Sequence, residues 1–365
     1  MPILIDLNHP SHFHFFLEFI IEAREREFGV YITARNRKYL PELLEAYDIP
    51  YILKGKRKRS LMGKLAGLIK EVLQLYHLGR KIKPDACISF ASPYAALAGK
   101  LLGIPVITFD DTENDPLLHM IIPQLSHLII TPECFQKSFG KKHLRFKGYK
   151  ESVYLRALAE EKETHIKKIP GLDQTEPFIL VRFVSPHSTH ELGRKGLKGE
   201  EKVEIVNRLK PYGRVYISSE GNLPEALKPF ELESPIDQIH PVLKNAILYF
   251  GESTTMAAEA AILGTPAILI EDHGRGYTDN IERRSELIHR FPAKEWRQAI
   301  EHTKARLKRE ERKSSEEESL AEIFSETTDI KKLLFWIIQN TSVNIKHLKH
   351  NRNKINDFKL DETLL

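Results

Sequence analysis

Two cysteines, two tryptophans and four methionines in 365 residues leave little room for sulfur chemistry. Cys87 and Cys134 stand apart and neither belongs to a Cys-x-x-Cys pair, so a disulfide framework and a thiolate metal set are excluded and both read as buried thiols. No apolar run approaches the roughly 20 residues that a membrane-spanning helix needs. The opening Met1-Pro2-Ile3-Leu4-Ile5-Asp6 has neither the basic nor the long apolar part of a signal peptide and reads as a first strand, which predicts a cytoplasmic protein. No charge sign dominates. Lys and Arg number 55 against 50 Asp and Glu, largely interspersed, and the net +5 suits small anionic ligands while giving no argument for nucleic acid. Hydrophobic residues at 41% and charged ones at 29% belong to a folded chain. Its length calls for two cores, because one core stops growing at about 250–300 residues.

What is present centres on residues 246–270, which read as strand, tight turn, helix, strand. An apolar run ends at Gly251-Glu252, Ser253 and Thr254 are good helix caps, and an Ala-rich helix runs until Gly264 and Pro266 stop it. Backbone N–H groups, the hydroxyls of Ser253, Thr254 and Thr255, and the positive end of the helix dipole then converge at one point beside Met256, and that point suits a phosphate. Glu259 lies about one and a half turns further on, where a carboxylate accepts hydrogen bonds from a ribose. An ordinary βαβ crossover with a satisfied cap uses the same residues.

The flanking chain alternates strands with helices, which predicts parallel sheets. A first strand over 2–7 runs into the polar turn Asn8-His9-Pro10-Ser11-His12 before a helix over 13–26. Loops at the carboxyl ends of parallel strands face the ligand crevice, so His9, His12 and His14 gain weight together, with His12 placed to act as a base and helix capping as the plainer role. Residues 54–59, Lys-Gly-Lys-Arg-Lys-Arg, precede an amphipathic stretch over 60–69. That pairing fits either anionic lipid or a solvated loop. The strand over 106–109 ends in Asp110, Asp111 and Glu113, a carboxylate set for catalysis or sugar binding that also suits a divalent metal, or an acidic surface loop.

Residues 156–176 are polar and contain Pro170-Gly171, the best candidate linker. The pattern then restarts. Arg182 ends a strand over 178–183, a polar loop over 185–198 holds His187 and Arg194, and Ser218, Ser219 and Glu220 end the next strand. In one parallel sheet these ends and the 251–256 turn converge, so Arg182 and Arg194 are candidates to neutralise a diphosphate. Residues 295–319 read as a heavily charged helical stretch with a solvated face, 330–338 as a buried late helix, and the stretch beyond 340 as a polar, disordered tail.

Five segments carry a resemblance: Ile5-Asp6-Leu7-Asn8-His9-Pro10-Ser11-His12, Phe109-Asp110-Asp111-Thr112-Glu113, Gly148-Tyr149-Lys150-Glu151-Ser152-Val153-Tyr154-Leu155, Arg182-Phe183-Val184-Ser185, and the turn Gly251 through Ala260. The chain resembles the DUF354 family, whose members look like GT-B glycosyltransferases and are similar to the non-hydrolysing UDP-N-acetylglucosamine 2-epimerases and to the N-acetylglucosaminyltransferases that form lipid II. The resemblance implies an α/β GT-B fold with two Rossmann-like domains whose parallel sheets face across a cleft. Its domains are residues 1–155, for the acceptor, and 177–320, for a nucleotide sugar, with a helix over 321–340 crossing back to the first. It implies that Ser253, Thr254 and Thr255 hold a donor diphosphate and Glu259 a ribose. The chain departs from the epimerases, which carry glycines at the positions of Thr254 and Thr255 and an N-terminal Gly-Thr-Arg-Pro-Glu motif absent here.

Together these readings predict a glycosyltransferase without cofactor or metal, moving sugar from a nucleotide sugar, a UDP-sugar by preference, to a sugar or lipid-linked acceptor. His12, Asp110 and Asp111 are the candidate bases. Donor binding falls to Arg182, Ser219, Glu220, Gly251, Glu252, Ser253, Thr254, Thr255, Met256 and Glu259. His9, Glu113, His187 and Arg194 line the remaining cleft, and residues 54–59 give a possible membrane contact. Sugar-nucleotide 2-epimerisation and binding without catalysis are the rival functions.

Overall fold

The computed structural model describes all residues except 38, 56–60, 114, 162–165, 167, 185–195, 233–235, 309–311 and 360–365, together with the side chains of 61–66, 236 and 312–316. The chain divides into two compact units: Met1–Tyr154 with Ser325–Leu365, and Leu155–Phe324.

Unit 1 is built on seven parallel strands: β1 (Pro2–Leu7), β2 (Gly29–Arg35), β3 (Tyr51–Lys54), β4 (Ala86–Phe90), β5 (Val106–Phe109), β6 (Leu128–Pro132) and β7 (His143–Phe146). The spatial order is β3-β2-β1-β4-β5-β6-β7. The connections run outwards one way from β1 and the other way from β4, so the crevice of this sheet opens between those two strands. β1, β4, β5 and β6 are mostly apolar and buried along nearly their whole length, as a parallel sheet covered on both faces requires, with Asp6, Ser89, Thr108 and Thr131 as their buried polar members.

Unit 2 holds β8 (Phe178–Phe183), β9 (Arg214–Ser219), β10 (Leu248–Gly251), β11 (Ala267–Ile270) and β12 (Ile288–Phe291), all parallel, in the order β12-β11-β10-β8-β9. Here the order reverses between β8 and β10, with Gly251 directly opposite Arg182.

Helix Ile330–Gln339 belongs to unit 1, as the resemblance implied. Its apolar face packs on helix Pro10–Glu25 through Phe335 and Phe19, whose ring centroids are 4.9 Å apart. Two expectations fail. The tail beyond 340 forms helix Thr341–His350 and a 3-10 turn, Arg352–Asp357, because Ile345, Leu348 and Ile355 give this otherwise polar stretch enough apolar surface to bury. Strands β7 and β12 went unread, being four residues long with charged side chains. Helix Trp296–Leu307 buries Trp296, Ala299 and Ile300 in the unit 2 core, so its charges cover only one side.

Candidate functional site

In unit 2 the turn after β10 is shaped by close approach. A Cβ on Gly251 would lie 2.5 Å from the Arg182 carbonyl oxygen and 2.9 Å from the Tyr249 hydroxyl, so only glycine lets β10 lie so close to β8 at this point. Ser253 then adopts the extended cap conformation (φ −94°, ψ 110°), and its Oγ accepts from the Met256 N–H at 3.4 Å as helix Thr254–Ile262 begins. Its carbonyl accepts from the Tyr249 hydroxyl at 3.1 Å, which fixes the turn from below. Thr254 is buried and donates from Oγ1 to Glu271 Oε2 at 2.7 Å, tying the helix start to the residue after β11. Thr255 is half-buried and Met256 buried. Glu259 is buried within the helix, with Oε1 3.3 Å from His240 Nε2.

Arg182 enters the same crevice from β8. It is 9% exposed, and it donates to Ser218 Oγ at 2.6 Å and to Glu220 Oε1 at 2.7 Å, while its buried Nε has no hydrogen-bond partner among the described residues. Ser218 therefore takes the place that the sequence reading gave to Ser219, whose hydroxyl closes a local turn by donating to the Gly221 carbonyl at 2.8 Å. Glu252 points elsewhere. Its carboxylate accepts from the Val184 N–H at 3.2 Å and the Leu197 N–H at 2.8 Å, bringing these two backbone groups together. Burial pushes this carboxyl above its ordinary range, against the pull of Lys202 and the two N–H bonds. His187 and Arg194 lie outside the described residues.

In unit 1 the turn after β1 sits on a buried ionic network. Asp6 is fully buried and accepts from Lys54 Nζ at 2.5 Å, Thr33 Oγ1 at 2.6 Å, Ser92 Oγ at 2.6 Å and Asn8 Nδ2 at 2.9 Å. Burial alone would raise its pKa, but the charge of Lys54 and these hydrogen bonds more than offset that, and the net shift is downward. Asn8 Oδ1 accepts from Lys54 at 2.9 Å and from Arg35 Nε at 3.1 Å, and Arg35 forms a two-pronged pair with Glu71 at 2.7 and 3.1 Å. Two acids thus balance two bases out of water. Lys54 accordingly leaves the proposed 54–59 basic surface. Strand alternation turns it inward at the end of β3, and 56–59 lie outside the described residues.

His9 is the cap of helix Pro10–Glu25, its Nδ1 accepting from the Ser11 N–H at 3.1 Å. His12 stacks on Phe90 at the end of β4, ring centroids 4.7 Å apart, and its buried Nδ1 has no hydrogen-bond partner among the described residues. Its pKa falls to about 3, chiefly through burial and next through the charge of Lys150, so the ring is neutral at physiological pH. Between Phe90 and Ser92, Ala91 holds φ at +38°, a left-handed backbone outside glycine, at the crevice between β1 and β4.

The carboxylates are committed. Asp110 accepts from the Thr112 N–H at 3.0 Å and from His119 Nε2 at 3.0 Å, and His119 Nδ1 in turn faces Lys137 Nζ at 2.9 Å, which assigns the ring proton to Nε2. Burial nevertheless raises the Asp110 pKa. Asp111 is paired with the buried Lys150 at 2.5 Å, and Glu113 accepts from the Gln136 N–H at 3.4 Å. Lys150, Glu271, His240 and Lys54 were missed as site residues. Their partners, Asp111, Thr254, Glu259 and Asp6, are distant in sequence. Among the described residues, no three His, Cys, Asp or Glu side chains gather as a metal site.

The chain is similar to an uncharacterized protein of Methanocaldococcus jannaschii, 25% identical over 278 residues, which cover 73% of this chain and 81% of that one. Among solved structures it is similar to the UDP-N-acetylglucosamine 2-epimerase of Rickettsia bellii, with TM-score 0.66 and 15% identity across 96% of this chain and 99% of the other. It is also similar to the spinosyn rhamnosyltransferase SpnG complexed with spinosyn aglycone, with TM-score 0.59 and 11% identity across 93% and 100%. At these identities the likeness speaks for the fold, the α/β GT-B type with parallel sheets. The family described as "Protein of unknown function (DUF354)" matches residues 1–273, and this chain belongs to it.

Proposed function

We propose that the chain is an enzyme that binds a nucleotide sugar, by preference a UDP-sugar, in unit 2 and transfers its sugar to an acceptor bound by unit 1. One observation carries the donor site. At the strand-order reversal of the unit 2 sheet, a glycine-only approach, a Ser253-capped helix start and an arginine with an unpartnered buried Nε come together. N–H groups of the first helical turn and Arg182 would take the diphosphate and stabilise its charge as it departs, a role that requires no metal. Glu259, oriented by His240, would take the ribose. Of the three candidate bases, His12 has a ring nitrogen with no hydrogen-bond partner among the described residues, whereas Asp110 and Asp111 already hold partners. A pKa of about 3 makes the free ring a weak base, so it is the open nitrogen and not basicity that favours it. His12 is therefore assigned to the acceptor proton.

A panel of UDP- and GDP-sugars in thermal unfolding tests the donor site. A ligand at 100 times its Kd stabilises by about 2.7 kcal/mol, and Glu259→Ala should abolish that gain. Stabilisation by none of the panel, or an unchanged response in Glu259→Ala, overturns the reading. The likeness to the Rickettsia bellii enzyme favours a second reading, sugar-nucleotide 2-epimerisation. Incubation with UDP-N-acetylglucosamine and no acceptor separates the two, because only an epimerase yields a new sugar nucleotide. Binding without turnover of any donor assigns a binding protein.

A further inference from the structure

Helices Leu61–Ile82, Pro93–Leu102 and Pro116–Leu125 lie side by side on one face of the unit 1 sheet, over Leu4, Cys87, Val106 and Ile129. Away from that core they expose Ile69, Leu73, Leu101, Leu117, Met120 and Ile121. Single exposed apolar residues are ordinary. Helix Pro116–Leu125 is not, because it contains no charged residue, buries only Ile122, and leaves Leu117 67% and Met120 71% exposed on one side. An apolar helix side turned away from the core calls for a partner surface or lipid to cover it.

The charges of this layer are mainly of one sign. Among described side chains the three helices hold Lys70, Arg80, Lys81 and Lys100 against Glu71, which is buried on Arg35, while Asp115 caps the amino end of helix Pro116–Leu125 through the Leu118 N–H. Lys100 donates to the Gln124 carbonyl at 3.1 Å and Lys142 to the Pro123 carbonyl at 3.0 Å, so two cations flank the carboxyl end of the uncharged helix. His127 feels the crowding. Its pKa is lowered by burial and then by Lys349, Lys142 and Lys100. A two-fold dimer through this face would set lysines against lysines, whereas an anionic bilayer offers both an apolar interior and the opposite charge.

We propose that this three-helix face docks on the surface of an anionic lipid bilayer, with Leu117, Met120 and Ile121 entering the interface and Lys100 and Lys142 meeting the headgroups. Helix Pro116–Leu125 also carries His119, which holds Asp110. On the transferase reading, which this consequence alone rests on, the acceptor is lipid-linked.

Co-sedimentation of the full chain with mixed phosphatidylcholine and phosphatidylglycerol vesicles, and with phosphatidylcholine alone, tests the docking. Binding is expected to the mixed vesicles only, weakening as salt rises. K100Q/K142Q should bind about fivefold less tightly for each lysine removed, and L117E/M120E should lose binding. Both variants should keep the wild-type thermal unfolding and response to donor sugars, which separates lost docking from a lost donor site. Absence of wild-type binding at low salt, or equal binding by both variants, overturns the proposal. So does a dimer in light scattering that L117E/M120E dissociates, which would assign the face to a second copy.

Discussion

The two units place polar residues at the same topological position and load it in opposite ways. Below the turn after β1, unit 1 buries four full charges, Asp6, Lys54, Arg35 and Glu71, which cancel one another. At the matching reversal in unit 2 the one charged residue of the turn, Glu252, is drawn away to the Val184 and Leu197 N–H groups, and the polarity left at the turn comes from backbone N–H groups and the Ser253 cap, with Arg182 beside it. A self-compensated network makes a loop rigid and asks for no ligand. A helix start beside an incompletely bonded arginine leaves positive potential for an anion to answer. Unit 1 therefore spends its ions on holding Asn8 and the His9–His12 turn in place, and unit 2 keeps its polar groups for binding.

Breaking the unit 1 network should have the largest effect. Lys54→Met leaves the Asp6 carboxylate buried without its cation, and urea unfolding should show a loss of about 3–5 kcal/mol, partly recovered when Asp6→Asn is added. A single variant as stable as the wild type would show that the four charges do not act as one unit. Gly251→Ala should come next, at about 1–3 kcal/mol from overpacking against the Arg182 backbone, and it should also remove the stabilisation by nucleotide sugars. If stability falls and sugar binding survives, the contrast between a structural turn in unit 1 and a binding turn in unit 2 is wrong.

The smallest effect concerns pH. His12 has a folded pKa of about 3 and an ordinary unfolded value near 6.5, so the unfolded chain takes up its proton first. Its contribution to stability is therefore intact above about pH 6.5 and declines as pH falls from there towards 3. His143, lowered to about 4 mainly by burial, adds to the same slope. His12→Gln should flatten urea-derived stability between pH 6 and pH 4 without abolishing its fall, and an unaltered slope would mean that His12 is not held neutral by the fold.

Much of this was written locally. The strand-turn-helix of residues 246–263, Ser253 as the cap, Arg182 at a strand end and the buried helix near 335 follow from apolar periodicity and cap chemistry. Those signals act between residues a few positions apart. The partners of the singled-out residues were illegible for the converse reason. Lys54 looked like the first member of a basic run because only the pairing of β2 with β3 brings it to Asp6, 48 residues away. Glu252 looked like a phosphate-turn residue until the fold turned its carboxylate to the N–H groups of Val184 and Leu197.

By itself the sequence determined an α/β chain of parallel strands, since buried apolar strands alternating with capped helices have few other ways to cover both faces of a sheet. Tertiary structure alone decided which charges are spent inside the protein and which face outward. A carboxylate's role depends on the cation or N–H that reaches it, and that neighbour is chosen by strand order and register rather than by position along the chain.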